Sequence, residues 1–487
     1  MFSDYVFEHS PAQYANYILI DDFDGLHKRF DYISVFEAHG FEVAAYQDDL
    51  HFRVEFEDRM KSENLKLVVL RQANTYLPYD MTRLFARYTV SLRSLFPKLN
   101  PDVLSQQRDL SLDLLTRVAD QNYDTLLGRE QTERYFEKVV CNKANLNVYF
   151  RDRLEQLLLM IKSNQTYRAW FVAAQGKAEI DRYSVQYGLD IDTSELNMLF
   201  QEYALRSFGT LSSKNDKDSP VLVSRAMEYM CENSSKFVVI VMDGMSEFDW
   251  NILSESFDGI AYEQSAAFAM IPSTTSVSRQ CLLSNKFPSQ LADPWSQGKE
   301  RTEFVACAKA MGFSDEQIAY ERGYTVQFSS FVRCGAIIIN DVDDLVHAQP
   351  QGKIGMFNDI SVMASEGRLA SLTRSLLSDG FDVYITADHG NTQCTGTGRY
   401  VGAGVDVETR SHRMLVLRDF ANKKSIMDKF AMVEYPKYYL PKENDYLICN
   451  SGTSLDVKGE QVMTHGGMTL DEVIVPFIKI KAGDGNV

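Results

Sequence analysis

The sequence has few cysteines, and none of them lie close enough together to suggest a disulfide framework or a thiolate metal site. The seven cysteines are dispersed singly, without a C-x-x-C pair, which is typical of the reducing cytoplasm. No apolar run reaches the roughly 18 residues that cross a membrane, and the first residues, MFSDYVFEHSPAQ, lack the basic and then apolar pattern of a signal peptide. We therefore predict a cytoplasmic protein without membrane association.

Positive charge is also scarce. Lysine and arginine number 50 against 67 acidic residues, which gives a formal net charge of −17. Broad electrostatic attraction to nucleic acid requires clustered basic side chains, so the composition argues against it. A local basic groove stays compatible with this charge, and bound metal ions would add positive charge at a site.

With 487 residues, of which 45% are hydrophobic, the chain can form large cores and should divide into about two to four domains. Residues 1–78 alternate strand-like runs (NYILIDDFDG, FEVAAYQ and LKLVVLRQA) with helical segments at 30–39 and 52–62. This alternation predicts a small receiver- or flavodoxin-like α/β domain. Residues 79–235 show helical apolar spacing and predict a helical linker domain, while residues 236–487 contain the chemical motifs described below.

An acidic pair, Asp21 and Asp22, follows the first strand-like run and suggests a phosphorylated receiver domain. The central run LVVL, however, is followed by Arg71 where such a domain would carry the phospho-accepting aspartate. A scaffold or docking domain is therefore the favoured interpretation of residues 1–78.

Histidines are few, and their positions are informative. The chain has eight, with none between His51 and His347. Three segments run from an apolar strand into acidic or imidazole side chains (FVVIVMDG, GAIIINDVDDLVH and DVYITADHG), and THGG precedes a further apolar run. Open α/β sheets bind ligands beyond the carboxyl ends of their strands. The candidate metal ligands are Asp243, Asp343, His347, Asp388, His389 and His465.

Each of these residues has an ordinary structural explanation when taken alone. Asp243 could cap a helix, and His347 could lie on a helix surface. The combination is harder to explain without a metal site. Oxygen and nitrogen donors without thiolate favour zinc first and manganese second. Six ligands exceed what one tetrahedral zinc takes, so we predict two divalent ions, the usual arrangement for displacement at phosphorus.

A nucleophile could come from AMIPSTTSVSRQCLLSNKFP, residues Ala269–Pro288, where hydroxyl side chains crowd the turn before a helical pattern. A helix N-terminus presents free N–H groups to an anion, so phosphate could bind there. Serine and threonine are also common helix caps, and the local sequence alone favours that simpler interpretation.

The ordered motifs MDG, P-S-T-T-x-x-x-R-Q, D-x-x-x-H, ADHG and THGG resemble the alkaline phosphatase superfamily, and within it the PglZ-domain branch of BREX phage-resistance systems. The resemblance covers Lys236 to the C-terminus and implies an alkaline-phosphatase-like catalytic domain. Ser273, Val277 and Gln280 depart from the common residues of that branch, and these departures bear on substrate preference.

The resemblance implies a role for each matching position. Thr275 corresponds to the nucleophile and Arg279 to the basic position. Thr274 is a less favoured candidate for the nucleophile and a candidate for substrate binding. The ligands divide into one group of Asp243, Asp388 and His389 and another of Asp343, His347 and His465. Arg410 and Arg413 are further candidates for substrate binding, although a surface salt bridge is the simpler interpretation of each.

The implied activity is attack of Thr275 on a phosphate ester, followed by hydrolysis of the phospho-threonine, in a phosphodiesterase or nuclease of a bacterial antiphage system. Possible substrates include nucleic acid and nucleotides, and the implied partners are other defence-system proteins. Two alternatives stay open: a phosphomonoesterase for a small metabolite, and a metal-binding sensor or scaffold without turnover. Polar segments at 212–220, 288–333 and 393–408 are interpreted as a hinge loop, an insertion, and a connector or lid.

Overall fold

The computed structural model describes residues 1–62, 64–118, 127–401, 405–407, 412–418 and 422–483. The chain divides into two compact units, Met1–Tyr149 and Phe150–Val487. The domain boundaries at 78 and 235 stay predictions. Within the described residues, no helix combines the length and apolar character that crossing a membrane requires.

The first unit is a small α/β structure. Its strands are β1 (Tyr17–Asp21), β2 (Glu42–Ala45), β3 (Leu67–Arg71) and β4 (Ala86–Thr89). Its helices are α1 (Phe2–Glu8), α2 (Leu26–Arg29), α3 (Tyr32–Ala38), α4 (Asp49–Phe52), α5 (Asp58–Ser62), α6 (Tyr79–Leu84), α7 (Leu92–Leu95), α8 (Pro101–Ser105), α9 (Asp109–Val118) and α10 (Arg129–Tyr135). Helix α11 (Lys143–Ser163) contains the division between the units.

The four strands of this unit form a parallel sheet in the order β2-β3-β1-β4. A flavodoxin-like sheet has the order 2-1-3-4-5, so the receiver- or flavodoxin-like description does not fit this topology. Both predicted acids have internal partners: Asp21 pairs with Arg71 and Arg87, while Asp22 accepts hydrogen bonds from Tyr32 and His27. These contacts give the acidic pair a structural explanation.

The described residues of the second unit form three sheets together with their helices. Its helices are α12 (Tyr167–Tyr187), α13 (Ser194–Ser207), α14 (Ala226–Asn233), α15 (Glu247–Leu253), α16 (Thr275–Ser284), α17 (Glu300–Ala310), α18 (Asp341–Ala348), α19 (Gly352–Glu366), α20 (Arg368–Ser378), α21 (Lys423–Phe430) and α22 (Leu470–Val473). Its strands are β5 (Phe237–Met242), β6 (Glu263–Phe268), β7 (Ile318–Arg322), β8 (Cys334–Ile339), β9 (Asp382–Thr386), β10 (Thr392–Gly396), β11 (Val405–Val407), β12 (Met414–Leu417), β13 (Met432–Glu434), β14 (Asp445–Cys449), β15 (Thr453–Ser454), β16 (Gln461–Thr464) and β17 (Ile474–Ile480).

The central sheet of this unit has the order β6-β17-β9-β5-β8-β7. Strands β7, β8, β5 and β9 are parallel, and β17 runs antiparallel to both β9 and β6. Strands β5 and β8 are buried along their whole length, as expected for parallel strands covered on both faces. The α/β fold class predicted from the sequence is therefore confirmed.

This topology brings several chain segments to one edge of the sheet. The parallel strands β5, β8 and β9 end there, and so does β6, because it is antiparallel to β17. Strand β17 begins at the same edge, since its residue Phe477 pairs with Thr386 at the end of β9. The four candidate ligand motifs and the hydroxyl-rich turn therefore meet at one edge.

Candidate metal centre

Three candidate ligands follow β5 and β9 and form one compact group. Asp243 comes directly after β5, and Asp388 and His389 follow β9. Nε2 of His389 lies 3.6 Å from Oδ1 of Asp243 and 3.8 Å from Oδ2 of Asp388. All three side chains are buried. Their donor atoms are close enough together to hold one metal ion.

The other three candidates form a second group. Asp343 and His347 lie one turn apart on α18, and His465 follows β16. Nε2 of His465 lies 3.4 Å from Oδ1 of Asp343 and 3.3 Å from Nε2 of His347. His465 is buried, whereas His347 is exposed. This group can hold a second ion, with one side open to a substrate.

The two groups are neighbours. The imidazole rings of His389 and His465 stack with centroids 4.1 Å apart. The chain also approaches closely at Gly244, where a Cβ atom would lie 3.2 Å from the Cβ of Asp343. Gly244 has φ of +75°, a backbone conformation that residues with a Cβ atom rarely adopt. The turn after β5 therefore requires glycine so that the two ligand groups can adjoin.

Backbone carbonyls orient the two buried histidines. Nδ1 of His389 lies 3.0 Å from the carbonyl oxygen of Gly390, and Nδ1 of His465 lies 3.1 Å from that of Ser273. Because a carbonyl oxygen only accepts, each Nδ1 donates its N–H to it and leaves Nε2 directed at the acids. Burial, and then the neighbouring His389, lower the pKa of His465 to about 4, so its ring is neutral at pH 7. An imidazole oriented in this way suits metal ligation through Nε2.

The carboxylates fit cations for an independent reason. Among the described residues, Oδ1 of Asp243, Oδ1 of Asp343 and Oδ2 of Asp388 are buried without a hydrogen-bond partner. Burial, together with the charge of Asp243, raises the pKa of Asp388 well above its usual range. Unpaired buried oxygens are costly and are rare in folded proteins. Divalent cations bound by the two groups would satisfy all three.

Thr275 lies beside the first group. It is the first residue of α16, and its Oγ1 is 3.0 Å from Nε2 of His389. Thr274 immediately precedes the helix, yet its hydroxyl does not cap it and has only a 3.5 Å contact with Oγ of Ser276. The simple cap interpretation therefore does not account for this hydroxyl, and the start of α16 is left available to an anion.

Arg279 lies against the carboxylates of the candidate metal site. The side chain is buried, with Nη1 donating to Asp243 and Nε donating to Glu300 over 2.6 Å. A third carboxylate, that of Asp388, lies 3.9 Å from Nη1. A direct role of Arg279 toward phosphate stays a prediction. In the structure, Arg279 donates a hydrogen bond to Oδ2 of the candidate ligand Asp243 and orients it.

Arg413 is likewise buried and paired with a buried carboxylate. Its guanidinium donates to both carboxylate oxygens of Glu472 and to the backbone carbonyls of Asn450 and Thr453. It lies directly under the glycines after His465, since a Cβ atom at Gly467 would be 2.4 Å from its Nη2. Arg413 therefore supports this loop and does not offer free donors to a substrate. The other substrate-binding candidate, Arg410, lies outside the described residues.

A second buried network supports the same loop from the helical region. The ammonium group of Lys177 on α12 lies between Asp181 and Asp471, and the amide of Asn197 on α13 donates to Asp471. Asp471 lies on α22, directly after the THGG motif. Neither Lys177 nor Glu300 was found from the sequence, because their partners are distant in the chain and no local pattern connects them.

Comparison with known proteins gives one family match. The family described as the BREX system PglZ alkaline phosphatase-like domain matches residues 223–480. No curated protein matches the chain.

Several solved structures are similar over half of the chain. Murine ectonucleotide pyrophosphatase/phosphodiesterase 5 is 13% identical with a TM-score of 0.34, and the match covers 50% of this chain and 88% of that one. The human form of that protein is also 13% identical, with a TM-score of 0.35 and coverage of 50% and 87%. Phosphonoacetate hydrolase from Sinorhizobium meliloti 1021 is 13% identical, with a TM-score of 0.31 and coverage of 50% and 90%. Similarities of this size say nothing about activity.

Proposed function

Because the chain belongs to the PglZ family of alkaline phosphatase-like domains, we propose that it hydrolyses phosphate diesters with two divalent metal ions and Thr275 as the nucleophile. The family match agrees with the resemblance and with the alkaline-phosphatase-like fold predicted from the motifs. The observation that carries the proposal is the position of the Thr275 hydroxyl, 3.0 Å from Nε2 of His389 and beside buried carboxylates that lack partners.

The six candidate ligands would hold the two ions as the groups described above, with zinc as the first expectation and manganese as the second. Bound divalent ions would neutralise charge on the phosphate and favour ionisation of the attacking oxygen. Backbone carbonyls keep the Nε2 atoms of His389 and His465 directed at the acids, so the protein orients these ligands before an ion binds.

Thr275 would act first. Its oxygen forms a bond to phosphorus while the bond to the leaving oxygen breaks, which gives a phospho-threonine ester and releases an alcohol. Water then cleaves this ester and restores the hydroxyl. The start of α16 supports both steps, because its first N–H groups lack carbonyl partners within the helix and can donate to phosphate oxygens.

Two arginine positions favour a diester over a monoester. A monoester dianion carries one more charge near neutral pH, and alkaline-phosphatase-like sites would need an additional cation to balance it. Arg279 and Arg413 are both paired with buried carboxylates, so neither supplies that charge. This arrangement supports a singly charged phosphodiester, such as a nucleotide or nucleic-acid linkage, as the substrate.

The family also suggests a biological setting. A PglZ domain described from BREX systems supports a cytoplasmic role in antiphage defence, together with other proteins of such a system. The net charge of −17 argues for a short nucleic-acid segment or a nucleotide rather than a long duplex held by charge.

Elemental analysis and a paired substrate assay test the proposal. Purified protein should contain two zinc or manganese ions per chain and should cleave bis(p-nitrophenyl) phosphate faster than p-nitrophenyl phosphate. Faster cleavage of the monoester would support the phosphomonoesterase alternative instead. Two bound ions without turnover of either ester would support a sensor or scaffold.

A further inference from the structure

A chain of buried polar contacts leads from strand β7 to the candidate ligand Asp243. The hydroxyl of Tyr320 on β7 donates to Glu300, and a guanidinium nitrogen of Arg322 on the same strand lies 3.5 Å from the Glu300 carboxylate. Glu300 accepts from Nε of Arg279, which in turn donates through Nη1 to Asp243. The contacts therefore join the segment predicted as an insertion to the metal centre.

The charges of Arg279 and Glu300 are almost fully removed from water, whereas Arg322 is exposed. Arg279 is 1% exposed and Glu300 is 2% exposed. A buried charge is tolerated only when its partners satisfy it. The Arg279 guanidinium faces three carboxylates, those of Asp243, Asp388 and Glu300. Glu300 is the member of this set that belongs to neither candidate ligand group.

The two oxygens of Asp243 are used differently. Oδ2 accepts from Arg279, whereas Oδ1 has no partner among the described residues and lies 3.6 Å from Nε2 of His389. One oxygen is therefore fixed by the protein and the other is left for a cation. Arg279 makes this division only while its Nε is held by Glu300, because a guanidinium without that partner could turn both of its edges toward Asp243 and Asp388.

We propose that Glu300 is a positioning residue for the metal site of Asp243, Asp388 and His389, an inference that rests on the proposed function. Glu300 holds Arg279 so that the guanidinium orients Asp243 without competing with the cation for its second oxygen. The acidic side chain also offsets the arginine charge next to a site for a positive ion. Loss of Glu300 should therefore weaken binding of one metal ion and leave the other nearly unchanged.

Zinc titration of the full-length metal-free protein against a chelating dye tests this proposal. Glu300→Gln should reduce affinity for one of the two ions by about 10- to 100-fold, the usual effect of removing a residue that orients a ligand. The matched control is Glu303→Gln on the same helix α17, which removes a carboxylate that pairs with Lys286 outside the network. It should bind zinc as the wild type does. His347→Ala removes a ligand of the second group. In that background, the ion held by Asp243, Asp388 and His389 should lose zinc affinity by the same factor when Glu300→Gln is added.

Cobalt gives a readout of ligand geometry that does not depend on activity. The visible absorption of Co²⁺ bound to Glu300→Gln should differ from that of the wild type, whereas Glu303→Gln should match it. If Glu300→Gln does not fold, Tyr320→Phe removes one hydrogen bond to Glu300 and should lower the same zinc affinity by a smaller factor. Equal zinc affinities in wild type and in these variants would overturn the role of Glu300. Failure of the wild type to bind zinc, manganese and cobalt would instead overturn the proposed function.

Discussion

The imidazole rings of His389 and His465 lie nearly parallel, 12° apart in plane and 4.1 Å apart in centroid. His389 follows β9, and His465 stands shortly before β17, which runs antiparallel beside β9. The end of one strand and the approach to the other therefore meet at one edge of the sheet. This stacking joins the two candidate metal groups into one centre, next to the Thr275 hydroxyl.

Replacement of Thr275 by alanine should abolish turnover while metal content is preserved. The hydroxyl is the proposed attacking group, so kcat for a phosphodiester should fall by at least about 10³-fold. The substitution removes no ligand atom of either candidate group, so elemental analysis should still find the wild-type metal content. Thr302→Ala, at an exposed position of α17, is the matched control and should retain wild-type activity. A Thr275→Ala protein with near-normal turnover would make the nucleophile assignment wrong.

A buried carboxyl group on α15 should make stability depend on pH. Burial raises the pKa of Glu247 to about 8, although hydrogen bonds from Gln175 and Gln264 partly oppose the shift. The folded-state pKa lies above the ordinary value of 4.5, so the folded protein holds this proton more tightly than the unfolded chain does. The resulting stabilisation is fully present below pH 4.5 and is lost as pH rises through about 8. At pH 9 the loss in free energy of unfolding is on the order of a few kcal/mol, since one pKa unit is worth about 1.4 kcal/mol.

Glu247→Gln removes this titration. Thermal unfolding at pH 5, 7 and 9 should show the variant gaining stability relative to the wild type as pH rises. Glu232→Gln, at an exposed position, provides the control and should leave the profile unchanged. Parallel stability curves for Glu247→Gln and the wild type would contradict a buried, neutral carboxyl group.

The sequence predicts the strand ends of the metal centre well, for a physical reason. Strand β5 is wholly apolar and β9 is apolar over residues 383–385, and an acidic residue follows each strand within two positions. Both the strand and its ligand are therefore local features. The direction of the Arg279 side chain is not local, because it depends on Glu300, which lies on a different helix. The pairing of β1 with β4 was also missed, since ARYT is short and carries no apolar run.

Lys177 should be required for folding stability although it belongs to neither candidate ligand group. It is 2% exposed, and its ammonium group pairs with both Asp181 and Asp471. Lys177→Met would leave the Asp471 carboxylate without its counter-charge, while Asp181 would keep Lys353. Breaking a buried pair typically costs about 3 to 5 kcal/mol. Urea unfolding measures this loss. Lys162→Met breaks an exposed pair with Glu195 and should cost no more than about 1 kcal/mol. Equal losses in the two variants would contradict the importance of the buried network.

Gly390 should not tolerate a side chain, because the loop after His389 packs directly against α22. A Cβ atom at this position would lie 2.0 Å from the carbonyl oxygen of Asp471 and 3.1 Å from Cβ of Ser246. The first contact is with backbone, which cannot move aside as a flexible side chain would. Gly390→Ala should therefore displace the loop that carries His389, with a stability loss of about 1 to 3 kcal/mol or more and weaker zinc binding.

Gly298→Ala separates this steric effect from the general consequence of replacing a glycine. A Cβ atom there would meet only Oγ of Ser296, at the ordinary distance of 3.5 Å. Thermal unfolding and zinc titration of both variants give the comparison. Because the carbonyl of Gly390 also orients His389, the Gly390→Ala protein should lose metal affinity even at temperatures where it is folded. Wild-type zinc affinity in a folded Gly390→Ala protein would show that this close approach does not position the ligand.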